Sequence, residues 1–158
     1  MSKHLKAIAI AGVLTASGLN PVVANAASII GLVDDKTLVM IDPASKKVTS
    51  KIAVKGTPGL LGIDVRPADG MLYGVSTDGN VVTIDPKSGQ ATMKSKLSET
   101  LKAGVVATVD FNPAADRLRV MGSDGASHRI NVEDGKVTVD GSHKFKDGDA
   151  NAGKAPSV

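Results

Sequence analysis

The sequence predicts an all-β fold, a partial β-propeller-like repeat of four-stranded antiparallel units amounting to roughly two and a half blades. Two observations predict it. The tripeptide Ile41-Asp42-Pro43 returns as Ile84-Asp85-Pro86, 43 residues later, and Gly62-Ile63-Asp64-Val65-Arg66-Pro67 returns as Thr108-Val109-Asp110-Phe111-Asn112-Pro113, 46 residues later. That period falls in the range of a four-stranded blade. Between the repeated motifs lie short β-rich runs separated by turn residues, the pattern of strands rather than helices.

Taken in order, the first unit is only partly present, over residues 29–54, with Leu38-Val39-Met40-Ile41 as its clearest strand. The second unit reads as strands over 61–65, 71–75, 80–84 and 90–94, and the third over 107–111, 117–121, 127–132 and 136–139. Leu38 to Ile41 and Val81 to Ile84 are almost continuously apolar, as strands covered on both faces are. Asp78-Gly79 and Asp124-Gly125 fit two-residue hairpin turns. Pro86-Lys87-Ser88-Gly89 supplies the next turn, so the Asp-Pro-x-x-Gly pattern is read as turn chemistry. The run from Ser95 to Lys102 has weak helical spacing and is read as a loop or short helical excursion.

If Asp124-Gly125 is the hairpin tip, Met121 pairs with His128 and Arg119 with Ile130. Arg129 then lies opposite Val120, on the other face from Arg117 and Arg119. An unclosed set of blades leaves apolar faces and strand edges open.

The first 26 residues carry Lys3 and Lys6, an apolar run from Ala7 to Leu14 and the small-residue site Ala24-Asn25-Ala26. This is the pattern of a secretory signal peptide cleaved after Ala26. The apolar run is too short to span a bilayer, so no stable membrane insertion is expected after processing, and the destination is the periplasm or the medium. The domains expected are therefore 1–26 as leader, 27–145 as the repeat domain and 146–158 as a flexible polar tail. Without its leader the chain has 17 basic residues against 16 acidic ones, which removes the case for a nucleic-acid partner. There is no cysteine, hence no disulfide framework, and Tyr73, Phe111 and Phe145 are the whole aromatic set.

Arg117 and Arg119 share one strand face and are the residues best suited to an anionic ligand, with corner bonding to Asp116, Asp110 or Asp64 as the structural alternative. Asp64 and Asp110 recur with the scaffold and complete the ligand-binding candidates; convergence of the pair on a channel is the one route to hydrolysis. Asp147, Asp149 and Asn151 begin like a calcium loop, but Ala152 stands at its sixth position and Val158 at its twelfth. His128 and His143 lack zinc-site spacing. No nucleophile elbow, Walker motif or dinucleotide fingerprint is present, and no cofactor is expected.

"GIDVRPADGMLYGVS", "DGNVVTIDPKSGQAT" and "VDFNPAADRLRVMGSDG" followed by "RINVEDG" resemble the bacterial secreted domain family DUF4394, over about residues 30–158. The resemblance implies a propeller-like fold and a chain usually longer than this one, continuing past "GDANAGKAPSV". It also implies an Asn near Ser127 and His128 that this sequence lacks, and it lends no activity.

The expected function is a non-enzymatic secreted or periplasmic module that binds a protein or small ligand. The alternatives are a self-associating structural protein that completes a ring between subunits, and an enzyme at the channel mouth. The expected partner is a second copy or another extracytoplasmic protein.

Overall fold

A computed structural model describes residues 29–141 and 143–154. The proposed leader and the last four residues lie outside the described residues. Eleven strands and no helix are present among them: β1 (Ile29–Val33), β2 (Thr37–Asp42), β3 (Lys47–Ala53), β4 (Leu60–Val65), β5 (Leu72–Ser76), β6 (Asn80–Ile84), β7 (Ala91–Lys96), β8 (Ala107–Asn112), β9 (Arg117–Gly122), β10 (Ser127–Ile130) and β11 (Val137–Asp140). They form three antiparallel sheets, ordered β1-β2-β3, β4-β5-β6-β7 and β8-β9-β10-β11.

The repeat fixes the correspondence between sheets. Ile29 pairs with Ile41, Leu72 with Ile84 and Leu118 with Ile130, so these three pairs occupy one structural position. On that basis β1-β2-β3 correspond to β5-β6-β7, and the first sheet lacks a counterpart of β4 and β8 among the described residues.

Alternation along β5 and β6 explains why the second sheet is apolar throughout. Leu72, Val82 and Ile84 pack with Leu38 of the first sheet and Val54 just after it, whereas Tyr73, Val75 and Val81 pack with Phe111, Leu118, Val120 and Ile130 of the third and Val132 just after β10. Successive side chains leave a strand on opposite faces, so a strand between two neighbours must be apolar on both. All five residues of β5 are buried accordingly.

The same hardware recurs at the equivalent corners of the first two sheets. The Asp42 carboxylate accepts from the Ala44 N–H at 3.0 Å and the Ser45 hydroxyl at 2.6 Å, and Asp85 does the same for Lys87 and Ser88 at 3.0 and 2.6 Å. These bonds, the Ser hydroxyl first in each case, hold both carboxyls below the usual carboxylate range. The repeated Asp-Pro motif is thus a turn device.

Gly89 and Gly135 end equivalent turns at positive φ of 73°. A Cβ at Gly89 would collide with the Ala53 carbonyl of the first sheet, and one at Gly135 with the Lys96 carbonyl of the second. The close approach serves stitching: the Lys55 N–H donates to Gly89 O at 2.9 Å and the Ser98 N–H to Gly135 O at 3.0 Å. At the matching turn of the first sheet stands Lys46, at φ 55°.

Two expectations are adjusted. The run from Ser95 to Lys102 is a loop from Leu97 onward, as its first alternative had it, but Ser95 and Lys96 end β7; Leu97–Val106 run as bends, a turn and coil with no helix. The hairpins around Asp78-Gly79 and Asp124-Gly125 are three-residue loops rather than two-residue turns. Gly79 N–H donates to Ser76 O at 3.0 Å and Gly125 N–H to Gly122 O at 2.9 Å, with both glycines left-handed. This is the type I turn with a following left-handed residue. The added loop residue shifts the register, so Ser127 pairs with Met121, His128 with Val120 and Arg129 with Arg119. A one-residue slip moves side chains to the opposite face.

Candidate functional site

The corrected register places Arg117, Arg119 and Arg129 together. Leu118, Val120 and Ile130 face the second sheet, so the intervening residues of β9 and β10 face away from it, onto the open face of the third sheet. Asp110 and Asn112 join that face through their pairing with Arg119 and Arg117. The corresponding positions of the first two sheets are apolar and covered: Ile30 and Leu32 in β1, Tyr73 and Val75 in β5. In the third sheet they become Arg119 and Met121.

Asp140 of β11 organises the arginines. Arg129 Nε donates to both its carboxylate oxygens at 2.9 Å, and Arg129 Nη2 lies 2.8 Å from Oδ1. Arg119 Nη2 lies 3.4 Å from Oδ2, and Arg119 Nη1 donates to the Ser127 hydroxyl at 3.2 Å. The Arg129 bond is the main reason that the Asp140 carboxyl sits below its ordinary range. Arg117 instead bonds backbone carbonyls, Asp116 O at 2.9 Å and Ala115 O at 3.4 Å. Beside them a recess of about 210 Å³ is lined by Arg117, Arg129, Asn131, Lys136 and Thr138, with no carboxylate among them.

Of the other candidates, Asp110 shares this face and the rest lie elsewhere. Asp64 faces the third sheet and accepts from the Phe111 N–H at 2.6 Å, besides the Val65 N–H at 2.8 Å. Asp110, its repeat counterpart, lies on the open face opposite Arg119 and forms no salt bridge with it. Asp64 thus lies in the gap between the second and third sheets and Asp110 on the far face of the third, so the pair does not meet in one channel. Asp116 also departs from expectation: its partner is Arg66, not Arg117 or Arg119.

Arg66 is the charged centre that sequence reading overlooked. Its side chain, 11% exposed, donates to both Asp116 oxygens at 2.8 and 2.6 Å, to Glu133 at 2.7 Å, to Asp69 at 3.1 Å and to the Tyr73 hydroxyl at 3.2 Å. Lys94 lies 2.6 Å from the other Glu133 oxygen. Arg66 also stands 5.7 Å from the Tyr73 ring centroid, and Tyr73 meets Phe111 edge-on at 5.4 Å. The Asp116 bond chiefly drives the guanidinium pKa upward, while Lys94 and then Arg66 hold Glu133 low. The signal was a break in the repeat, Arg66 standing where the third unit has Asn112. Every acceptor is already engaged, so this cluster clasps the second and third sheets together.

Asp147, Asp149 and Asn151 lie in a string of exposed turns. The Asp149 carboxylate accepts from the Asn151 N–H at 2.8 Å, and the Asn151 amide oxygen from Lys154 Nζ at 3.2 Å. Among the described residues no group of three or more His, Cys, Asp or Glu could hold a metal ion. Nor is any helix among them long and apolar enough to cross a membrane.

Three antiparallel sheets built on one repeated strand pattern define a β-sheet repeat protein. A family model, the domain of unknown function DUF4394, matches residues 13–158, and the chain belongs to that family. No curated protein matches. Among solved structures the chain is similar to the hydrazine synthase of Kuenenia stuttgartiensis, with 18% identity, a TM-score of 0.42 and 66% of this chain covered. The match spans 29% of the length of that chain.

Proposed function

We propose that the chain is a non-enzymatic, extracytoplasmic, propeller-like binding module whose ligand carries a small anionic group held on the open face of the third sheet. The observation that carries this reading is the change of residue type at repeated positions. Where the first two sheets place apolar residues, the third places Arg119, with Arg117 and Arg129 beside it and Lys136 at the recess. Guanidinium groups match the geometry of carboxylate and phosphate oxygens. Asp140 satisfies Arg119 and Arg129 and orients them, while Arg117 and Lys136 form no salt bridge among the described residues. Those two supply the uncompensated charge. The leader pattern in residues 1–26 supports the location.

Titration calorimetry at low ionic strength with phosphate, sulfate and succinate tests it, because exposed charge pairs are screened by salt. Saturable binding that weakens in Arg117→Gln and Lys136→Gln is expected. Binding absent for all three anions, or unchanged in both variants, would refute it.

A second reading, self-association, draws on the first sheet. Ile29, Val33 and Val48 are exposed apolar residues there, and β1 has an open edge among the described residues. Such edges and faces favour pairing with another chain. A discrete dimer by light scattering on residues 27–158, dispersed by Val48→Glu, would support it, and a monomer at all concentrations would remove it.

A further inference from the structure

We infer that a second site, independent of the arginine face, lies between the second and third sheets and takes a small uncharged amphiphile. A cavity of about 400 Å³ opens there, the size of an ordinary small-molecule pocket. Its walls combine apolar side chains, Leu61, Val75, Leu97, Leu101, Val120 and Ile130 among them, with polar groups in about equal measure.

One polar ring faces this space. His128 pairs with Val120 across β9 and β10, so it shares the inward face of the third sheet. It is only 5% exposed and lines the cavity, and neither ring nitrogen bonds another described residue. No side-chain nitrogen or oxygen among the described residues is both wholly buried and unpaired. The imidazole nitrogens therefore keep some accessible area, and the residue is part of the cavity lining.

Burying a polar group without a partner is unfavourable, and an imidazole offers both a donor and an acceptor when neutral. Of the other polar side chains at the cavity, Thr77 and Thr100 are exposed to solvent. Ser76 Oγ is engaged with the Asp78 carboxylate and with Asn80 O at 3.1 Å. Asp35 and Lys102 are exposed and opposite in charge, which leaves no net electrostatic preference for an ion. The ligand class that fits is a compact apolar body with one hydroxyl or carbonyl group directed at His128.

The roof is the segment from Leu97 to Val106. It is anchored at one end by Leu97 N–H to Gly79 O at 2.9 Å and Ser98 N–H to Gly135 O at 3.0 Å. At the other end the Ser123 N–H donates to Val106 O at 2.8 Å. Leu97 and Leu101 lie against the core and form part of the wall.

The test uses para-ethylphenol and its hydroxyl-free counterpart ethylbenzene, with binding to the mature chain followed by NMR. Saturable binding of both is expected, with the His128 ring signals moving for the phenol. His128→Phe keeps a planar aromatic ring there and removes the hydrogen bond, so phenol affinity should fall roughly fivefold to tenfold relative to ethylbenzene affinity. Leu101→Trp, which fills the space from the roof, should weaken both probes, with circular dichroism confirming that each variant is folded. Arg117→Gln should alter neither affinity, which separates this site from the anion site. Failure of both probes to saturate, or an unchanged phenol-to-ethylbenzene ratio in His128→Phe, overturns the assignment.

Discussion

Ile29, Leu72 and Leu118 occupy one position in three successive sheets, yet Ile29 is 53% exposed, Leu72 4% and Leu118 0%. Residue type does not separate them. What separates them is cover: the side chain at this position faces the preceding sheet, and the first sheet has none among the described residues. The lesson is that the repeat encodes an apolar face, whereas burial of that face depends on a neighbour that the repeat alone does not guarantee. The opposite end of the array behaves differently. There the uncovered face of the third sheet carries Arg119 and Met121 at the positions where the second sheet has Tyr73 and Val75.

This comparison sets a graded series of expectations. Leu118→Ala should cost the most, about 2–5 kcal/mol, because it empties a packed site between two sheets. Leu72→Ala should fall in the same range, and Ile29→Ala below about 1 kcal/mol, as read by urea unfolding. Equal losses at all three positions would break the comparison.

Next in size is Arg66→Ala, which removes the cation shared by Asp116, Glu133 and Asp69 and should destabilise by about 2–3 kcal/mol. Arg66→Lys should recover only part of this, since an ammonium cannot make the bidentate contact with Asp116. Gly135→Ala should cost about 1–3 kcal/mol through its left-handed backbone and its collision with the Lys96 carbonyl. Lys46→Gly, at the turn with no preceding sheet, should change stability by no more than about 0.5 kcal/mol. Thermal unfolding of this pair checks whether the glycine is required by the neighbour or by the turn.

The pH dependence follows from the same clasp. The carboxyls of Asp116 and Glu133 titrate below their ordinary range in the folded chain, Asp116 through Arg66 and Glu133 through Lys94 and then Arg66. Their stabilisation is therefore present above the unfolded values, near pH 4, and is lost as pH falls through the folded ones. The melting temperature should drop more steeply on acidification in the wild type than in Arg66→Ala. Parallel curves would assign the acid sensitivity to other carboxylates.

Much of this architecture was legible in the sequence. Strand positions from Leu60 onward, the turn role of Asp42-Pro43 and Asp85-Pro86, and the apolar runs of β2 and β6 all follow from local pattern. Register was less legible. Asp-Gly signals a hairpin but does not say whether two or three residues span it, and that single residue decides whether Arg129 joins Arg117 and Arg119. The Arg66 clasp was hidden because its partners, Asp116 and Glu133, lie 50 and 67 residues away in sequence. For His128 the sequence left open a hairpin surface or a place between blades, and its pairing with Val120 puts it on the inward face.

Native-state hydrogen exchange, strand by strand, tests the central claim most directly. Amides of β5, β6, β9 and β10 should exchange only through global unfolding, while β1 opens with a much smaller free energy, because its outer face and one edge lack cover. Protection in β1 equal to that in β5 would contradict the account, since it would mean that the repeat holds its first strand without the neighbour on which burial of the other sheets depends.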